Sequence, residues 1–205
     1  MAVKKGDFIE LEYSGLLEDG TEFDKSQKPM VICLGEQHML SGLEKSLEGK
    51  EVGHSYEIKL SPEEGFGKRD SRLIRLIPLG KFIRENINPM PGLEVSIDGV
   101  LAVVKSVNGG RVLVDMNHPL AGKNLRYKIR INRIVTDDSE KVRAIIAIRT
   151  GIEDVNVSID GSKCRVSTKN EIPEDIAEKL KDEIKRHTKI SEVEFETASK
   201  AKDGK

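Results

Sequence analysis

Residues 111–135 read RVLVDMNHPLAGKNLRYKIRINRIV. Two β-rich runs flank a histidine, a proline and a glycine turn. The first run closes a series of short segments, LEVSIDG, LAVVKSV and RVLVDM, joined by tight turns such as Gly109-Gly110. The second, NLRYKIRINRIV (124–135), has the style of the chain's opening strand, DFIELEYSGLL (7–17). There Phe8, Glu10, Glu12 and Ser14 alternate against Ile9, Leu11 and Tyr13, a strand with one buried face. A small all-β unit set between two such strands predicts an insertion, over residues 70–117, into a parent domain made of 1–69 and 118–137.

Outward from that stretch, Asp19-Gly20 marks a turn and PMVICLG (29–35) a short strand. In MLSGLEKSLEG (39–49) the period changes: Leu40, Leu43 and Leu47 share one face of a short helix closed by Gly49. SYEIKLSPEEGFG (55–67) returns to alternation. After Asp137-Asp138, the segment DDSEKVRAIIAIRTG predicts a helix with an acidic start, although AIIAI also fits a buried strand. VNVSIDGSKCRVS predicts a hairpin and IPEDIAEKLKDEIKRH an amphipathic helix with Ile176, Leu180 and Ile184 on one face. EVEFET adds a strand. Residues 138–205 thus form an α-β-β-α-β layer, small for a core of its own, which would gain stability by packing on a partner or on itself.

The 205 residues carry 34 basic and 35 acidic side chains, a formal charge of -1. That balance does not favour nucleic acid or an anionic membrane as partner. No apolar run reaches the ~18–20 residues of a membrane span, and no apolar segment follows the first lysines as in a leader. Cys33 and Cys164 stand far apart, which fits a reducing cytoplasm better than a disulfide scaffold.

The common catalytic patterns are missing. The chain has neither a phosphate-cradling glycine loop nor a nucleophile elbow. His38, His54, His118 and His187 lack ligand spacing, so no metal and no cofactor is expected. What remains is a sparse set of aromatics, three tyrosines and five phenylalanines without tryptophan, of which only Phe195 lies beyond Tyr127.

EYSGLLEDGTEFDKS (12–26) resembles the opening of FKBP-type peptidyl-prolyl cis-trans isomerases, where a strand tyrosine precedes a G-T-x-F-D segment. LSGLEKSLEGKEVGHSYEIKLSPEEGFG (40–67) is similar to the family's helix, strand and aromatic-glycine loop. VDMNHPLAGKNLRYKI (114–129) resembles the signature of its SlyD-like branch, which carries a second domain, the insert-in-flap. Residues after 138 resemble the extension of long archaeal members. The resemblance implies an α+β fold: an FKBP-like antiparallel sheet wrapped on a short helix, an inserted small all-β domain and a C-terminal α+β layer.

It also implies a prolyl isomerase pocket lined by Tyr13, Phe23, Leu40, Leu43, Phe66 and Tyr127, with Asp24 at the rim and His118 as a hydrogen-bonding wall. In the inserted domain it implies a surface for unfolded chains, with Ile77, Leu79, Phe82, Met90 and Leu93 as candidates; at least half of its apolar residues are expected in the small core. Ser41, Phe66 and Tyr127 depart from the commoner proline, tyrosine and phenylalanine. The tail KAKDGK lacks the histidines and cysteines of nickel-binding relatives. A homodimer through the C-terminal layer and a cytoplasmic folding role complete the expectation. The rivals are a holdase with incidental isomerase activity and a layer that tethers the chain to a fixed partner.

Overall fold

The computed structural model describes residues 1–197, so KAKDGK lies outside the described residues. The chain divides into two compact units, Met1–Lys59 with the described residues from Arg126 onward, and Leu60–Leu125. The fold is α+β, and most of its strand pairs are antiparallel.

The first unit holds a five-stranded sheet of β1 (Phe8–Leu17), β2 (Glu22–Lys25), β3 (Met30–Cys33), β4 (Ser55–Leu60) and β9 (Leu125–Val135). Its order is β2-β1-β9-β4, with β3 also pairing β1. Ile9 and Leu11 of β1, Ile32 of β3, Ile58 of β4, and Ile129 and Ile131 of β9 are buried, as are Leu43 and Leu47 of α1 (Ser41–Leu47). Alternation along the strands supplies that apolar face, and the i, i+4 spacing of Leu43 and Leu47 supplies the helix stripe.

The same unit contains α3 (Asp138–Thr150), β10 (Val155–Asp160), β11 (Lys163–Thr168), α4 (Glu174–His187) and β12 (Glu192–Thr197). The segment that also fitted a strand is a helix because both ends are capped. The Asp137 carboxylate accepts the Glu140 N–H at 2.8 Å, and Gly151 takes the left-handed φ of 73° that ends it. β10 and β11 form the hairpin, and β11 pairs β12 in parallel, the connection running through α4.

This layer does not stand apart. Val142, Ile145 and Ile146 of α3, Val166 of β11, and Leu180 and Ile184 of α4 share one apolar cluster with Phe8, Cys33 and Val135 of the parent sheet. Phe8 is therefore buried, although alternation puts it on the face of Glu10 and Glu12. The layer covers that end of the strand.

The second unit is built on a four-stranded sheet, β5-β8-β7-β6, of β5 (Ile74–Pro78), β6 (Glu94–Ile97), β7 (Val100–Asn108) and β8 (Arg111–Asp115). The β7–β8 hairpin turns on Gly109 and Gly110, both at positive φ (55° and 74°), the twist that a two-residue hairpin loop needs. The expectation of an all-β insertion is corrected here. α2 (Leu79–Arg84) lies between β5 and β6, and a 3-10 turn at Ser71–Leu73 precedes β5. Pro78 ends β5 and caps α2, and Phe82 drives the helix onto the sheet by entering the core with Val104, Val112 and Val114. The unit is also wider than 70–117, taking in the loop of Phe66 and the turn of His118.

Candidate functional site

Four of the expected pocket residues lie together in the first unit. Tyr13 projects from β1, Phe23 and Asp24 from β2, and Tyr127 from β9, the strand beside β1. The Phe23 and Tyr127 rings meet edge-to-face, centroids 5.7 Å apart at 89°, and Tyr13 lies 6.1 Å from Tyr127. Both spacings suit attractive aromatic contact. The Tyr13 hydroxyl donates to Asp24 Oδ2 at 2.9 Å, and its backbone N–H donates to Ser26 Oγ at 2.9 Å. Ring and backbone of Tyr13 are thus both held by the hairpin partner strand and the residue after it.

Burial raises the Tyr13 phenol to about 12, helped by the hydrogen bond and charge of Asp24. Burial, then the charges of Asp24 and Tyr13, raise Tyr127 to about 12 as well. Both phenols stay neutral donors at physiological pH. Leu40 precedes α1 and is half-buried, whereas Leu43 is fully buried.

One residue that sequence reasoning passed over decides how the rings meet. Gly15 is buried on β1, opposite Asp24 in register and at the point where the β1–β2 pairing shifts. A Cβ there would fall 2.7 Å from Phe23 Cζ and 3.0 Å from Tyr127 Cε1. A glycine inside a strand is the available signal, since it commonly marks a bulge or a close approach.

Phe66 and His118 belong to the second unit and pair with each other, rings stacked at 4.4 Å and 2°. His118 Nδ1 accepts the Leu120 N–H at 3.1 Å, so the imidazole closes its own turn. Before it, Asn117 accepts the Asp70 N–H at 2.8 Å and donates back to the Asp70 carbonyl at 3.0 Å. The Asp115 carboxylate accepts from Asn117 and from Arg69. Burial alone would raise Asp115, but these partners hold it below the usual carboxylate range. Asn117 and Asp115 therefore tie together the two chain segments that enter and leave the four-stranded sheet. Among the described residues no cluster of histidine, cysteine and carboxylate side chains has a metal-holding arrangement.

The candidates for a client surface divide. Ile77 and Phe82 are buried in the unit's core and are corrected to structural residues; Leu79 and Leu93 are half-buried against that core. Only Met90 is open, at 56%. The structure exposes others instead: Leu76 at 60%, Ile83 at 61%, Val100 at 46% and Leu101 at 57%. With Met1 these are the large exposed hydrophobics of the described residues, so five of six belong to the second unit. Leu76 stands opposite Leu113 on the sheet face turned away from the core, the face opposite to that of Ile77 and Val112. An open groove of about 710 Å³ on the first unit is lined by Tyr13 of the ring cluster and by Ser26, Tyr56, Glu57, Lys128 and Ile129 among others, so apolar and charged side chains both border it.

Sequence comparison finds matches in parts of both units. Residues 1–81 match the family model described as FKBP-type peptidyl-prolyl cis-trans isomerase, and residues 75–120 match the one described as FKBP26, IF domain. The chain is similar to the short-type peptidyl-prolyl cis-trans isomerase of Methanocaldococcus jannaschii, 31% identical over 67% of this chain and 98% of that protein. It is also similar to the FKBP-type isomerase SlyD of Haemophilus influenzae, 30% identical over 64% of this chain and 72% of that protein. For SlyD of Escherichia coli the identity is 32%, over 64% and 69%. Tyr13, Phe23 and Asp24 fall within the residues that match the isomerase family model, and the chain belongs to the FKBP-type peptidyl-prolyl cis-trans isomerases.

Proposed function

We propose that this isomerase works by seating an Xaa-Pro segment against Tyr13, Phe23 and Tyr127, and that the 60–125 unit holds unfolded clients. The meeting of those rings over Gly15, with Asp24 at the exposed edge, carries the reading. Rotation about a peptide bond faces a barrier of roughly 18–20 kcal/mol because amide resonance must be broken. Water stabilises the planar, polar amide more than the twisted one, so an apolar seat lowers the barrier. Each tenfold in rate needs about 1.4 kcal/mol of such differential stabilisation. No nucleophile and no proton transfer is required, which agrees with phenols raised to about 12.

The chaperone part rests on Leu76, Ile83, Met90, Val100 and Leu101, exposed within one unit. Scattered surface apolar residues need no explanation, but their concentration in one unit fits contact with extended apolar segments. Binding a client there would raise the effective concentration of its prolines at the pocket. Ile83→Ser/Leu101→Ser in the full chain is expected to slow catalysed refolding of a proline-limited protein while leaving kcat/KM on a short peptide unchanged. Equal loss on both substrates would refute the capture role. The holdase alternative predicts that Asp24→Ala and Tyr13→Ala leave the peptide rate at the wild-type value.

The fit of Cys33 and Cys164, both free and buried, is with a reducing compartment such as the cytoplasm. No helix of the described residues is long and apolar enough to cross a membrane. A homodimer through the C-terminal layer would give two client-holding arms. Because the layer's core face is taken up within the chain, a second copy would meet its outer surface. Light scattering that finds one chain per particle would remove this part of the proposal.

A further inference from the structure

The loop from β3 to α1, residues 34–40, ends on Leu40 and is held in an unusual conformation. Gly35 has φ +92°, and Gln37 has φ +58°, a left-handed value that non-glycine residues keep only where their surroundings enforce it. Part of the enforcement is local. The Glu44 carboxylate of α1 accepts the Gly35 N–H at 3.0 Å and the Met39 N–H at 3.1 Å.

The rest comes from the C-terminal layer. The Cys33 N–H donates to His38 Nδ1 at 3.0 Å, which leaves Nε2 to carry the proton toward Glu183 Oε1 on α4, 3.2 Å away. Arg149 of α3 donates to both oxygens of Glu183, at 2.8 and 3.1 Å, and to the Glu36 carbonyl at 3.3 Å. His187 Nε2 meets the Glu36 carboxylate at 3.0 Å, with Arg186 3.6 Å from it. The layer therefore grips the loop at Glu36 and again at His38. The His38 side chain is fully buried and that of Glu183 nearly so, so neither is exposed to competition from water. Burial would raise Glu183, yet His38 and Arg149 pull it down to about 2, and the grip is present at every physiological pH.

We propose that the C-terminal layer is a positioning device for the isomerase pocket, acting through Glu183 and His38 on the loop that carries Leu40. This rests on the reading of Leu40 as a pocket residue. Glu183 and His38 are positioning residues: they act on Leu40 through the loop.

The test compares Glu183→Ala, Glu183→Gln, Leu40→Ala and Val166→Ala in the full chain. Each is assayed on a short proline peptide well below its own melting temperature. Val166 lies in the apolar cluster of the same layer and makes none of the loop contacts, so Val166→Ala destabilises the layer without releasing the loop. Glu183→Ala is expected to lower kcat/KM about two- to thirtyfold, the usual range for coupling between sites. Glu183→Gln, which keeps an acceptor for His38, is expected to fall between it and wild type, and Val166→Ala to match wild type. An equal fall in Glu183→Ala and Val166→Ala would overturn the inference, since stability alone would then account for it. So would an unchanged Glu183→Ala beside an impaired Leu40→Ala. If Leu40→Ala is itself unimpaired, the pocket reading of Leu40 fails, and the inference with it.

Discussion

Gly15→Ala perturbs the site by a single methyl group. The added Cβ would sit 2.7 Å from Phe23 Cζ, 3.0 Å from Phe23 Cε2 and 3.0 Å from Tyr127 Cε1. Carbon atoms rest at about 3.5–4.0 Å, so one ring must retreat by roughly 1 Å. Tyr127 is buried and Phe23 only half-buried, so Phe23 is the ring expected to move. Overpacking of this kind costs about 1–3 kcal/mol, against about 0.4–1 kcal/mol regained by stiffening the unfolded chain. A net loss of ~1–2 kcal/mol corresponds to a melting temperature lower by about 2–8 °C in a chain of this size. If the rings seat the proline, the same displacement reaches the transition state, and kcat/KM on a proline peptide falls by about five- to thirtyfold. Thermal melting and peptide isomerisation, measured on one preparation at a temperature where both proteins are folded, check the two halves separately. A Gly15→Ala protein that melts lower yet isomerises at the wild-type rate would refute the role of ring geometry in catalysis. One that changes in neither respect would refute the close approach itself.

Ionisation gives two further expected outcomes. Tyr13 and Tyr127 are raised from 10.0 to about 12 in the folded chain. Their contribution to stability is therefore full below pH 10 and lost as pH rises from there toward 12. A tyrosinate absorbance titration should show these two phenols ionising late, and Asp24→Asn should bring them only part of the way back, because burial is the larger cause. Titration of both at the ordinary value would contradict the packing of the cluster. Glu183, lowered from 4.5 to about 2, behaves in the opposite sense. Its contribution is present above pH 4.5 and lost as pH falls toward 2. Urea unfolding on either side of that window should show Glu183→Gln less stable than wild type at the upper end, with the difference closing at the lower end. A constant difference would mean that the carboxylate is not the ionised partner of His38 and Arg149.

Local pattern and ordered motifs, read along the chain, suffice for much of this protein. The alternation of DFIELEYSGLL, the three-residue spacing of Leu40 and Leu43, and the Gly109-Gly110 turn each report a local preference, which does not depend on distant contacts. The motifs around Tyr13, Phe23, Asp24 and Tyr127 likewise lead to residues that the sheet brings together. Strand register and long-range burial were not legible in the same way. Whether Leu76 or Ile77 faces the core depends on how β5 pairs with β8, and a shift of one residue would exchange them. α2 exists because Phe82 finds the small core, a contact no window around Pro78 contains. Phe8 is buried, and His38 is clamped by Glu183, only because α3 and α4, far along the chain, fold back onto β1 and the β3–α1 loop. Composition and periodicity specify elements and motifs through neighbours in sequence. The spacing of the rings around Gly15 and the grip of the C-terminal layer arise from neighbours in space, so only the tertiary structure decides them.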